Sequence, residues 1–198
     1  MAKNISKSAA LEEGSKSFRS TAAWEKWLAA NHATAPAVWI KFAKKGSGIA
    51  SVVYKDALEV ALCYGWIDGQ VKSIDETCYQ QRFTPRRARS KWSKINCGHV
   101  ARLISSGKMR PAGLKQIEVA KADGRWDAAY DSPKNVAVPD DLLHALTAVP
   151  DAKKAFATLS SRNRYAILYG IHDAKRADTR IKRIAKFVKM LADGKTPH

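Results

Sequence analysis

Acid is scarce in this chain. Of 198 residues only 18 are Asp or Glu, against 35 Lys or Arg, a formal charge of +17. Such a surface draws polyanions: nucleic acid, anionic lipid, phosphorylated or sulfated small molecules. Cysteine is scarce as well. Cys63, Cys78 and Cys97 include no C-x-x-C pair, and the five histidines stand singly. That spacing argues against a zinc cluster or a disulfide framework, so neither a metal nor a cofactor is expected. No apolar run approaches the roughly 18 residues of a membrane span, the best, around Val38 and Ile40, being cut at once by Lys41. The N-terminal segment lacks the apolar core of a secretory signal, which makes a cytoplasmic location the expectation. Catalytic signatures are sparse too. Gly46-Ser47-Gly48 has neither the lysine nor the spacing of a phosphate loop, no Ser-His-Asp order is suggested, and no carboxylate pair has a glycosidase spacing.

What is present is an ordinary globular composition, 45% hydrophobic and 27% charged, in a chain long enough for one large domain or two small ones. The positive charge is uneven. Residues 151–198 carry a net +8, and residues 82–94 hold six bases and no acid: Arg82, Arg86, Arg87, Arg89, Lys91 and Lys94.

Periodicity predicts an α+β fold, with a small N-terminal sheet and helices followed by an all-helical C-terminal part. Residues 1–17 read as a disordered tail, 18–130 as the α+β domain and 139–193 as the helical domain. Ser20 is a candidate N-cap for a helix with Trp24, Trp27 and Leu28 on one face. Val38, Ile40 and Phe42 alternate as in a strand. Ala57, Leu58, Ala61 and Leu62 form the stripe of a helix from Tyr54 to Tyr64, stopped by Gly65. Trp66-Ile67-Asp68-Gly69 reads as a strand entry with Asp68-Gly69 a turn signal, and strands at 70–74 and 78–83 are joined through Asp75-Glu76. Helices from Ser93 to Ser106 and from Pro111 to Gly124 precede a linker at 131–139. Three or four further helices follow, over 140–148, 150–159, 161–173 and 176–193. The last buries Ile181, Ile184, Ala185, Val188 and Leu191 and turns Lys182, Arg183, Lys186 and Lys189 mostly outward.

One stretch carries chemistry. Arg86, Arg87 and Arg89 lie just upstream of a helix start at Ser93, with Ser90 a second cap candidate and Asn96 in the first turn. Unpaired amides and the helix dipole at such an end favour an anion, and arginine grips carboxylate or phosphate with two donors. Trp92 adds a stacking surface or an apolar rim. Trp66 and Asp68, in Trp66-Ile67-Asp68-Gly69, complete the candidate ligand site, Asp68 as an arginine partner or a base. A plainer alternative pairs Arg86 or Arg87 with Asp68, Asp75 or Glu76 and buries Trp92 in the core.

The motifs Gly65-Trp66-Ile67-Asp68-Gly69, Tyr79–Arg86, Ser90–Asn96 and Gly107–Gly113, in that order, resemble the bacterial YdeI/OmpD-associated family. The likeness continues through Ala120–Trp126 and into Ala174-Lys175 and Thr179–Ile184, from about Phe18 to Leu191. The resemblance implies a bacteriocin-protection or porin-associated protein of envelope-stress tolerance, with no reaction, cofactor or catalytic residue attached. Without an export signal, that protection is expected to be indirect or to use another export route. Three functions follow as expectations. The first is a non-enzymatic accessory protein binding an anionic small molecule or polyanion at the arginine loop. The second is a nucleic-acid binder, although no helix-turn-helix or RNP pattern reads bases. The third is an enzyme on a small anionic substrate, with Asp68 as acid–base and Arg86 as clamp.

Overall fold

The structure, a computed structural model, describes residues 14–198, which divide into two compact units: residues 14–92 with 96–128, and residues 93–95 with 129–198. The first is a four-stranded sheet with helices and the second is helical, the α+β class expected from the sequence.

In the first unit the strands are β1 (Ser15–Ser17), β2 (Val38–Ala43), β3 (Trp66–Ser73) and β4 (Cys78–Pro85), in the spatial order β1-β2-β4-β3. β4 runs antiparallel to both neighbours, and β1 lies parallel to β2 with Ser15 opposite Trp39. Most of the expected tail falls outside the described residues, but its end, Ser15–Ser17, is a strand. Three polar residues show no period of their own; the open edge of β2 supplies the pairing. Helices α1 (Thr21–Asn31), α2 (Tyr54–Cys63), α3 (Lys94–Ser105) and α4 (Pro111–Ala122) complete the unit, α3 with its first two residues in the second. Ser20 caps α1 by accepting from the Ala23 amide at 3.2 Å. Trp24 and Leu28 are buried, and the Trp24 indole donates to the Ala57 carbonyl oxygen at 3.0 Å, so its polar atom is satisfied inside the core.

β2 buries Val38, Ile40 and Phe42 in strict alternation, and α2 buries Ala57, Leu58, Ala61, Leu62 and Cys63. Gly65 ends α2 at φ +75°, where a side chain would be strained. The sequence reading of Asp68-Gly69 as a turn is corrected: β3 runs through it as one strand, with its register against β4 shifting between Asp68 and Val71. The same short polar–glycine signal serves a turn or a bulge, and pairing with β4 chooses the bulge. α4 begins with Pro111 at its first position and brings Gly113 against the carbonyl oxygens of Leu62 and Cys63. Only a glycine lets the two backbones come that close.

The second unit contains α5 (Asp140–Thr147), α6 (Pro150–Ala157), α7 (Ser161–His172) and α8 (Ala177–Ala192). Leu142, Leu146, Phe156, Ile167, Leu168, Ile171, Ile184, Val188 and Leu191 form its core. The stripe read on α8 is shifted. Ile184, Val188 and Leu191 are buried and Phe187 packs against them, whereas Ile181 is 66% exposed and Ala185 is also outside. Helical spacing alone leaves the stripe's edge open, and the neighbouring helices set which flank is covered.

Candidate functional site

β4 ends at Pro85, which lacks the N–H to continue the ladder, and the chain turns away through the arginine segment. Arg86 goes inward. It is 6% exposed, and its guanidinium carbon sits 3.6 Å above the centre of the Trp92 ring. Its Nη1 donates to the Lys91 carbonyl oxygen at 3.2 Å, and its backbone N–H to that of Gly65 at 2.9 Å. A planar, weakly hydrated cation can lie flat on an indole where an ammonium could not, which makes arginine the residue for this place. Trp92 is 2% exposed and packs at a tilt on Trp126, ring centres 5.0 Å apart. Its burial agrees with the plainer reading of that residue.

Arg87 and Arg89 go outward. Between them and Ser90 the backbone closes a turn: the Arg87 amide donates to Ser90 Oγ at 3.0 Å, and the Ser90 amide to the Arg87 carbonyl at 2.9 Å. Ser90 thus serves this turn and not a helix cap. Its own carbonyl accepts from Arg125 Nη1 at 2.9 Å, and Arg125 is held by Asp123 at 2.7 Å. The three guanidinium groups therefore do not converge on a cradle. Arg86 braces the segment from inside, while Arg87 and Arg89 are displayed on a fixed turn. Asn96 is half-buried in the first turn of α3. Ser93 belongs to the second unit, bridged to Tyr130, and the Lys94 amide donates to the Tyr130 carbonyl at 2.9 Å. One of the α3 end amides counted on for an anion is already occupied.

Trp66 and Asp68 serve other contacts. The Trp66 indole is buried edge-on to Trp27 and donates to the His32 carbonyl oxygen at 3.1 Å. Asp68, at the bulge, accepts from the Tyr54 hydroxyl and from Gln81 Nε2, both at 2.8 Å, not from an arginine. Burial, reinforced by the Asp68 carboxylate, pushes the Tyr54 phenol far above its usual value, so Tyr54 stays a donor. The trio ties the first turn of α2 to the β3–β4 hairpin. Asp75 likewise spends its carboxylate on the hairpin turn, accepting from the amides of Thr77 and Cys78 at 2.7 Å.

Sequence reasoning missed a second polar cluster and two cavities. His99 Nδ1 lies 2.8 Å from Glu59 Oε1, and Arg102 Nη2 lies 3.4 Å from the same oxygen. Burial pushes the Glu59 carboxyl up, but His99 and Arg102 outweigh it and hold the group below its usual range. Glu59 borders a cavity of about 400 Å³ whose wall also includes Cys63 and the ion pair Glu25–Arg110, 2.7 Å long. Burial pushes the Cys63 thiol up to about 11, so it remains a protonated, packed side chain. A second cavity, about 620 Å³, opens over the loop at Lys44–Gly48. Glu59 and His99 are 40 residues apart, and no spacing rule joins them.

An α+β unit with an internally braced, outwardly displayed arginine turn, joined to a helical unit, defines a two-part protein whose halves have separate relationships. Residues 16–116, half of the chain, match the model of a domain of unknown function (DUF8412), and the chain belongs to that family. Residues 135–194 match the family model described as Bacteriocin-protection, YdeI or OmpD-Associated. The resemblance read from the sequence is borne out in this second unit. The motifs from Gly65 to Gly113, read there as the same family, fall inside the first match instead. No curated protein and no solved structure gives a significant match. The match over residues 135–194 supports a bacteriocin-protection-like accessory role. No helix among the described residues is long and apolar enough to cross a membrane.

Proposed function

We propose that this protein is a non-enzymatic accessory factor in bacteriocin tolerance that works by binding an anionic partner, with Arg87 and Arg89 as its contacts. The observation that carries the reading is the turn closed at both ends by Ser90, which holds two exposed arginines on a fixed backbone. Pre-ordering lowers the entropy cost of ordering these groups on binding, and each guanidinium offers a two-donor grip on phosphate or carboxylate. Arg86, Trp92, Ser90 and Arg125 position the turn; Trp66 and Asp68 belong to the framework behind it. The net charge of +17 and the match over residues 135–194 support the same reading.

A second reading, nucleic-acid binding, is favoured by α8, where Lys182, Lys186 and Lys189 are exposed at helical spacing. A variant tests the first reading and a titration the second. The double substitution Arg87→Ala, Arg89→Ala should leave the melting temperature unchanged and remove the survival advantage of expressing cells challenged with a bacteriocin. Undiminished protection refutes the arginine turn. Titration of the wild-type protein with DNA and RNA at two salt concentrations decides the alternative, since a nucleic-acid binder loses affinity steeply as salt rises.

A further inference from the structure

The loop at Lys44–Gly48, between β2 and α2, frames the cavity of about 620 Å³, a volume within the roughly 300–1,000 Å³ of small-molecule sites. Its lining combines two chemistries. The Lys44 ammonium donates to the Asp75 carbonyl oxygen at 2.8 Å, which orients it without cancelling its charge, and Lys45 is exposed. Just after them Gly46 and Gly48 take φ +85° and +71°, with no atom within 4 Å of where a Cβ would stand. Their bare backbone faces open space, which an anion can approach closely. Tyr79 also lines the cavity, its ring stacked on Phe42 at 5.3 Å and 17° and so held in place. Val53, 61% exposed, and Ile49, 51% exposed, add apolar surface to the same lining. Exposed apolar groups and cations bordering one cavity fit a ligand that is itself half charged and half apolar. The cavity beside Glu59 offers less, because its Glu25–Arg110 and Glu59–His99 pairs already satisfy one another.

We infer that this cavity binds a small amphiphilic anion, an aryl phosphate or carboxylate whose charged end meets Lys44, Lys45 and the glycine backbone while its ring lies against Tyr79 and Val53. The site is independent of the arginine turn, and its test does not depend on that proposal. 1-Naphthyl phosphate is titrated by calorimetry and by amide NMR, with 1-naphthol and inorganic phosphate as the two half-ligands. The expected result is binding at least about tenfold tighter than either half, the ΔΔG being about 1.4 kcal/mol, with the largest shifts at Gly46 and Gly48. Lys45→Gln should weaken the phosphate ester about fivefold and leave naphthol unchanged. Val53→Asp, at an exposed position that carries no core packing, should weaken the phosphate ester by repulsion. Arg87→Ala, Arg89→Ala should change nothing. The inference is overturned if naphthyl phosphate fails to bind at millimolar concentration, if phosphate alone binds equally well, if Lys45→Gln is silent, or if the arginine variant abolishes binding.

Discussion

Gly113 and Gly98 make a paired test of how α4 is seated. At Gly113 an added Cβ would stand 2.3 Å from the Cys63 carbonyl oxygen and 2.7 Å from that of Leu62. Both are backbone atoms in the last turn of α2 and cannot rotate away, so α4 must retreat by more than half an ångström. That retreat stretches the bond from the Arg110 amide to the Cys63 carbonyl, now 3.2 Å, and strains the Arg110–Glu25 ion pair. Overpacking of this kind costs about 1–3 kcal/mol, and a lost hydrogen bond about 0.5–1.5 kcal/mol. Alanine's better helix propensity returns about 1 kcal/mol. The net for Gly113→Ala is therefore about 2 kcal/mol of destabilisation, which at roughly 2–4 °C per kcal/mol lowers the melting temperature by about 4–8 °C. Gly98, inside α3, has no atom within 4 Å of its Cβ position. There the propensity gain stands alone, and Gly98→Ala should raise the melting temperature by about 2–4 °C. Thermal unfolding followed by far-UV circular dichroism measures both. Shifts of the same sign, or a Gly113→Ala protein as stable as wild type, would refute the close seating of α4 on α2.

Two further predictions follow from the pairings. Arg86→Ala removes a desolvated cation–ring contact worth about 2 kcal/mol, and Arg86→Lys restores the charge without the plane. The lysine variant should therefore melt nearer to alanine than to wild type and show a changed near-ultraviolet tryptophan spectrum; a wild-type-like lysine variant counts against the stacked geometry. In the second unit Asp141 accepts from Arg180 Nε at 2.6 Å and Nη2 at 2.9 Å, and these bonds hold its carboxyl below the usual range. A depressed carboxyl stabilises the fold above its unfolded value of about 3.9 and loses that contribution as pH falls through the lower folded value. Asp141→Asn should flatten the acid limb of the melting-temperature profile, and parallel profiles for variant and wild type would exclude this role.

Much of the fold was legible because it is local. The Ser20 cap, the alternation of Val38, Ile40 and Phe42, the α2 stripe and the Gly65 stop each need only one or two turns of chain to be recognised. Errors fall where a signal is short or shared. Ser15–Ser17 is too brief to show a period, Asp68-Gly69 fits a bulge as well as a turn, and Ile181 lies at the margin of its stripe. Within the candidate site the run of arginines and its unusual density were visible. The direction of each side chain was not, because Arg86 is turned inward by the face of Trp92, and Trp92 is set by Trp126 far along the chain.

Composition and periodicity by themselves determined the strong positive charge, the α+β order of elements and the position of the basic segment, since each depends on residue identity or on neighbours a few positions away. Tertiary structure alone decided that Asp68 is held by Tyr54 and Gln81, that Ser90 closes a turn, and that Lys44 and Tyr79 face one cavity. Those partners come from different strands, helices and loops, and only the folded path of the backbone brings a donor within hydrogen-bonding distance of its acceptor.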